Sequence, residues 1–111
     1  MLTEPIYHIT SAAAWQQAQA VGAYRGDTLA TEGFIHTSTG AQVARTANRF
    51  YRDRTGLVLL AIDPALLSAE LRYEPASDGE LFPHIYGPLN IDAVTSVRDF
   101  PPQPDGSFSS A

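Results

Sequence analysis

Leu57-Val58-Leu59-Leu60-Ala61-Ile62 is a continuous apolar run, closed by Asp63-Pro64. A strand of this kind, apolar at every position instead of every second one, is covered on both faces. The chain around it must therefore supply two layers. Upstream lie two helical patterns. Ser11 (or Thr10) can cap a helix running through Ala13, Ala14, Trp15, Ala18 and Val21, with Gly22 as its stop. Thr39 then heads a helix to about Tyr51, with Val43, Ala47, Phe50 and Tyr51 on its apolar side. Ile6 to Thr10 and Phe34 to Ser38 read as strands, and Tyr24 to Asp27 as a loop. Downstream no clear helix returns beyond one turn at Ala65 to Ser68. Strand words follow at Leu71 to Glu74, at Pro83 to Tyr86 and within Ile91 to Phe100, with a loop from Pro75 to Glu80. Strands and helices do not alternate through the second half, so a doubly wound sheet is not expected. The predicted class is α+β, with a compact mixed or antiparallel sheet and two main helices.

At 111 residues the chain holds one core. We place a single domain over residues 1–100. Pro101-Pro102-Gln103-Pro104-Asp105-Gly106-Ser107 opens a Pro- and Ser-rich segment, 101–111, that reads as a flexible tail. No apolar run approaches the roughly 20 residues of a membrane span. Met1 to Pro5 lacks a basic region followed by an apolar stretch, so a cytoplasmic protein without membrane contact is expected. The absence of cysteine excludes disulfides, thiolate nucleophiles and Cys-ligated metal. A net charge of −5 argues against broad nucleic-acid binding. All seven basic residues are arginine, which excludes Schiff-base chemistry and a lysine base. Four of them, Arg45, Arg49, Arg52 and Arg54, fall in one stretch. Arg45, Arg49 and Arg52 share a helix face, suited either to solvent or to phosphate and carboxylate groups.

The three histidines sit inside strand-like words: Ile6-Tyr7-His8-Ile9-Thr10, Gly33-Phe34-Ile35-His36-Thr37-Ser38 and Phe82-Pro83-His84-Ile85-Tyr86-Gly87. In the first two, a hydroxyl follows two residues later, at Thr10 and Ser38. On a strand such a pair shares a face, imidazole beside hydroxyl. Imidazole is the side chain that titrates nearest neutrality, so His8, His36 and His84 are the candidate catalytic residues. No H-x-H or H-x-x-x-H spacing occurs and no carboxylate is read as lying near in sequence as an orienting partner, so no metal site is assigned. Two facing His-x-hydroxyl strands can hold a phosphate between an acid and a base. This resembles the two-histidine phosphoesterases, although 28 positions separate His8 from His36 and no duplication is visible. Tyr7 and Tyr86 are either sheet-packing residues or ring platforms; Tyr86 shares a face with His84, whereas Tyr7 lies opposite His8.

The full words carry more. I-Y-H-I-T, then E-G-F-I-H-T-S-T, A-N-R-F-Y, G-L-V-L-L-A-I-D, L-R-Y-E and F-P-H-I-Y-G-P-L-N together resemble the bacterial and plant family called domain of unknown function 952, over about residues 5–100. That family is similar in fold to ADP-ribosyltransferases, nearest to RNA 2′-phosphotransferases. The resemblance implies that His8 holds a ribose of NAD. His36, followed by Thr37 and Ser38, occupies the second motif. The third position, glutamate in classical transferases, falls at His84 or Ile85, with Glu80 four positions earlier on a predicted loop. Classical protein ADP-ribosylation is therefore not expected. Arg25, Arg45 and Arg49 stand in for the arginines that grip phosphate, and Thr10, Thr37, Ser38 and Tyr86 complete the ligand-binding set. The resulting expectation is a three-histidine cleft for a nucleotide or phosphate-bearing ligand, with NAD a possible cofactor. A metal-independent two-histidine phosphoesterase and a noncatalytic binding or regulatory module are the alternatives.

Overall fold

The computed structural model describes residues 4–109. In chain order the elements are β1 (Ile6–Ser11), α1 (Ala12–Val21), β2 (Ala23–Tyr24), α2 (Thr28–Glu32), β3 (Ile35–His36), β4 (Ser38–Thr39), α3 (Val43–Phe50), β5 (Leu57–Ile62), a 3-10 turn (Pro64–Leu66), β6 (Glu70–Pro75), β7 (Leu81–Tyr86), β8 (Leu89–Asn90), a second 3-10 turn (Ile91–Ala93) and β9 (Val94–Asp99). The architecture is α+β, and every pairing among the described strands is antiparallel. One sheet has the order β4-β1-β5-β9 and a second the order β3-β7-β6, while β2 and β8 form a short ribbon.

The apolar run is an inner strand with a layer on each side. Val58, Leu60 and Ile62 join a core containing Ile6, Trp15, Ala18, Ile35 and Ile85. Leu57 and Leu59 face a second cluster of Ile9, Val43, Ala47, Phe100 and Phe108. Alternate side chains of a strand point to opposite faces, so an all-apolar strand has both faces to cover. That part of the sequence reading corresponds to what the fold contains.

α1 begins where its cap was expected. Ser11 Oγ accepts the Ala14 N–H at 3.0 Å, and Gly22 closes the helix with φ 102°. α3 starts later than expected. Thr39 is a strand residue, and its N–H donates to Gln42 Oε1 at 3.0 Å. Phe50 also departs from the expected inward face, since it is 65% exposed. The helix ends there, and Tyr51, with φ −125° and ψ 10°, leaves helical geometry to pack against the second cluster. α2 was not anticipated. It is a five-residue helix with no buried side chain, too short to show an apolar period.

The predicted tail is also corrected over its described part, for its chain packs back on the domain. Phe108 is buried and stacks on Phe100, with centroids 5.0 Å apart. Its backbone makes two bonds to the Asn48 amide, at 2.7 and 3.0 Å. Pro101, Pro102 and Pro104 lack the N–H that a helix or ladder needs, but they do not stop an aromatic anchor beyond them from docking. Residues 110 and 111 lie outside the described residues.

The segment Phe34 to Ser38 decides where the site lies. Expected as one strand, it is two: β3 pairs with β7, and β4 pairs with β1. Thr37 is the crossing point, buried and held by its hydroxyl, which donates to the Pro83 carbonyl at 2.6 Å. β4 covers the edge of β1 only at Ile6 and Tyr7. Residues of β1, of the β3–β4 segment, of α3 and of the turn after β6 together line one cleft.

Candidate functional site: a histidine-lined cleft

The cleft has a volume of about 920 Å³. His8, Thr10, His36, Thr37, Ser38, Arg45, Arg49 and His84 line it; Arg25 and Tyr86 do not. Arg25 is exposed on the turn before α2. Tyr86 faces a separate, shallower hollow bounded by Gly22, Ala69 and Pro88, although its ring lies 5.3 Å from that of Phe34.

His8 is spent on internal bonds. Its Nδ1 lies 2.6 Å from the His36 carbonyl and its Nε2 lies 2.8 Å from the Tyr24 hydroxyl. A carbonyl only accepts, so Nδ1 carries the proton. Burial lowers the His8 pKa from 6.5 to about 4, opposed by the His36 carbonyl and helped by the nearby His36 ring. The residue keeps some surface toward the cleft, which softens the shift without reversing it. At neutral pH the imidazole is uncharged and Nε2 is an acceptor. The Tyr24 hydroxyl therefore donates to Nε2. In the 3.0 Å contact between Tyr24 and Thr10, either hydroxyl can donate, and the neutral imidazole makes Thr10 the donor. Carbonyl, imidazole, phenol and hydroxyl form one satisfied chain. Burial, with the Thr10 hydroxyl opposing, raises the Tyr24 pKa above its ordinary value.

His36 and His84 are built differently. They stand directly opposite each other on β3 and β7, with rings 5.2 Å apart, edge to face. Each has a carboxylate. His36 Nε2 lies 3.2 Å from Glu32 Oε1, with both side chains about half exposed. His84 Nδ1 lies 2.8 Å from Glu74 Oε1, and its ring stacks on Phe34 at 4.2 Å. The same Glu74 oxygen accepts from the Tyr86 hydroxyl. That bond, followed by the one to His84, holds the Glu74 pKa below the usual carboxylate range, while it pushes Tyr86 up. Bonds to carboxylates place the protons on His36 Nε2 and His84 Nδ1, leaving the other nitrogen of each ring without a partner among the described residues.

The expected pairing of each histidine with its hydroxyl holds at one strand and not at the other. His8 and Thr10 share Tyr24. His36 and Ser38 belong to different sheets, His36 exposed and Ser38 buried with its hydroxyl donating to Thr46 at 3.2 Å. Among the arginines, Arg45 is paired with Glu80, which also accepts from the buried Gln42 amide at 2.7 Å. Arg49 and Arg54 have no acid partner among the described residues. They lie over the rings of Phe50 and Tyr51, at 5.2 and 5.1 Å. No three His, Asp or Glu residues of the described chain group closely enough to hold a metal ion.

An antiparallel α+β domain split by a cleft, with imidazoles on both sides, is the class that these observations define. The chain belongs to the family described as protein of unknown function DUF952, whose sequence model matches residues 9–97. It is similar to protein CC0527 from Caulobacter crescentus, a structural-genomics target. The crystal structure of that protein has 38% identity and a TM-score of 0.88 and covers 95% of this chain and 93% of its own. The crystal structure of a double mutant has 37% identity, a TM-score of 0.87 and the same coverage. The solution structure has 38% identity and a TM-score of 0.81, covering 93% and 90%. No curated protein matches the chain.

Residues that the sequence reading did not single out complete the site. Tyr24 is the hub of the His8 corner, and Glu32 and Glu74 orient the facing imidazoles. Arg54, noted in sequence only as one of four clustered arginines, adds a cation. Glu32 lies four residues before His36, a spacing visible in sequence but tied to no helix that predicted contact. Glu74 meets His84 only through the β6–β7 pairing, ten residues apart.

Proposed function

We propose that the cleft binds a nucleotide or another phosphate-bearing ligand of the NAD or ADP-ribose kind. The observation that carries this reading is the meeting, in one cleft, of partly open His36 and His84 with Arg49 and Arg54, which have no acid partner among the described residues. Its volume lies within the range of small-molecule sites, about 300–1,000 Å³. The arginine forks suit phosphate oxygens, and the open imidazole nitrogens suit hydroxyls or phosphate. Kinship in fold with ADP-ribosyltransferases and RNA 2′-phosphotransferases belongs to this reading, as does group transfer on the bound nucleotide. His8 then serves as a positioning residue, since neither ring nitrogen is free for a ribose unless Tyr24 moves away.

Thermal unfolding in millimolar NAD, ADP-ribose and a 2′-phosphorylated oligoribonucleotide tests the reading. At a hundredfold excess over Kd, binding adds about 2.7 kcal/mol, an upward Tm shift of several degrees. Arg49→Ala should abolish most of that shift while leaving the unliganded Tm unchanged. Flat curves with every ligand reject the proposal.

A second reading follows from the cross-strand imidazoles. In a metal-independent phosphoesterase, His36 and His84, not His8 and His36, would form the acid–base pair: one takes a proton from water as it attacks phosphorus, the other gives a proton to the departing oxygen. Turnover of a cyclic phosphodiester that survives both His36→Ala and His84→Ala eliminates this assignment. Ligand binding without turnover leaves a binding or regulatory module.

A further inference from the structure

Phe50 is the one large, exposed apolar side chain of the described residues that lies in the cleft wall. The other exposed large apolar residues, Val21, Leu66, Tyr73, Leu81 and Val97, all lie away from it. It is the last residue of α3, and at 65% exposure its ring has an open face. Helical spacing would have turned it inward beside Val43 and Ala47. Tyr51 takes that place instead, and Phe50 is presented to the cleft. Packing does not explain it.

Its neighbours give the explanation. The Arg49 guanidinium lies 5.2 Å from the Phe50 centroid and the Arg54 guanidinium 5.1 Å from that of Tyr51, and all four side chains line the cleft. Neither arginine has an acid partner among the described residues. An aromatic ring beside unneutralised guanidinium groups is the combination that receives nucleobases. Any base can stack on the ring, and the cations hold the phosphates that follow it. A long aliphatic ligand would need an apolar trough, and a simple anion would need no ring. With the net charge at −5, this rim is a local cationic exception on an acidic protein.

We propose that Phe50 is the stacking platform for the aromatic base of a nucleoside diphosphate, whose phosphates lie against Arg49 and Arg54. The assignment rests on the phosphate-ligand reading of the cleft and goes further, because it fixes which end of the ligand meets the rim. The base stacks at the end of α3, and the remainder of the ligand extends toward His36 and His84. Phe50 thereby selects nucleotides over bare polyphosphates.

Calorimetric titration of the full chain with ADP and with pyrophosphate separates the two levels. The wild type should bind ADP at least about tenfold more tightly than pyrophosphate, the scale of one stacked base. Phe50→Ala should remove that advantage, weakening ADP about tenfold and leaving pyrophosphate within a factor of two. Phe50→Trp should keep it, with emission quenched by ADP and not by pyrophosphate. Being exposed, Phe50 tolerates both changes, and an unchanged Tm confirms that the fold is kept. Pyrophosphate binding with no ADP advantage, or an ADP affinity indifferent to Phe50→Ala, overturns the platform and leaves the anion cleft standing. Equal weakening of both ligands by Phe50→Ala also overturns it. Failure of the wild type to bind either probe overturns both readings. A fall in sedimentation coefficient on Phe50→Ala, with ADP affinity unaltered, would make the ring a contact between copies of this chain.

Discussion

The two sides of the cleft use the same side chain for opposite ends. On the β1 side, the His8 imidazole has both nitrogens occupied and is neutral at pH 7. On the β3–β7 side, His36 and His84 each bind a carboxylate through one nitrogen and keep the other open. The difference shows that a histidine becomes a strut or a working group through its neighbours, not through its place on a strand. A carbonyl and a phenol close off His8. A carboxylate orients each of the other two rings and leaves an edge to the cleft.

The largest expected effect lies at the strut. His8→Ala removes the partner of the His36 carbonyl and of the Tyr24 hydroxyl in a poorly hydrated corner. Urea unfolding at pH 7 should show a loss of about 2–4 kcal/mol. His8→Asn keeps a donor for the carbonyl and should recover part of it. A loss no larger than that of His36→Ala would erase the contrast between the two sides.

Proton linkage gives the next test. His8 has a folded pKa near 4 against 6.5 unfolded, so the unfolded chain binds more protons between those values. Its contribution is complete above pH 6.5 and is lost as pH falls toward 4, on the order of 2–3 kcal/mol given its partial exposure. The carboxylates Glu70, Glu74 and Glu80, all lowered from 4.5 by their bonds, add their loss only below that value. The slope of stability between pH 6.5 and 4.5 should therefore flatten in His8→Asn. A slope unchanged by that substitution would show that the imidazole is already charged. Tyr24→Phe, which removes the hydroxyl from Nε2 and Thr10, should cost about 1–2 kcal/mol by the same unfolding measurement.

Much of the frame was legible because it rests on local rules. An all-apolar run has two faces to cover, and Ser11 and Gly22 mark the ends of α1. The site was legible as a set of histidines because each sits in an apolar strand word. Its wiring was not. Thr37 carries no mark that the chain changes sheets there, since the crossing depends on which strand edge is vacant. Tyr24, Glu74 and Phe108 act across separations of 14, 10 and 60 residues from the partners they bond. No periodic pattern records such contacts. Phe50 keeps the helical spacing of Val43 and Ala47, but as the last residue of α3 it stands at the cleft wall, and spacing alone does not say where along a helix the covering layer ends.

The smallest effects should come from the working pair, and they sharpen the contrast most. His84 is 13% exposed and stacked on Phe34, so His84→Ala should destabilise by about 1–2 kcal/mol. His36 is about half exposed, and its pair with Glu32 is open to water, which screens it. Its backbone carbonyl, not its ring, receives His8. His36→Ala should therefore change unfolding stability by no more than about 0.5 kcal/mol. If it does so while abolishing the Tm shift produced by ADP-ribose, the imidazole faces the ligand and has no structural duty. Should it instead destabilise as much as His8→Ala, the ring would be a strut like its neighbour, and the cleft would have lost its most exposed imidazole.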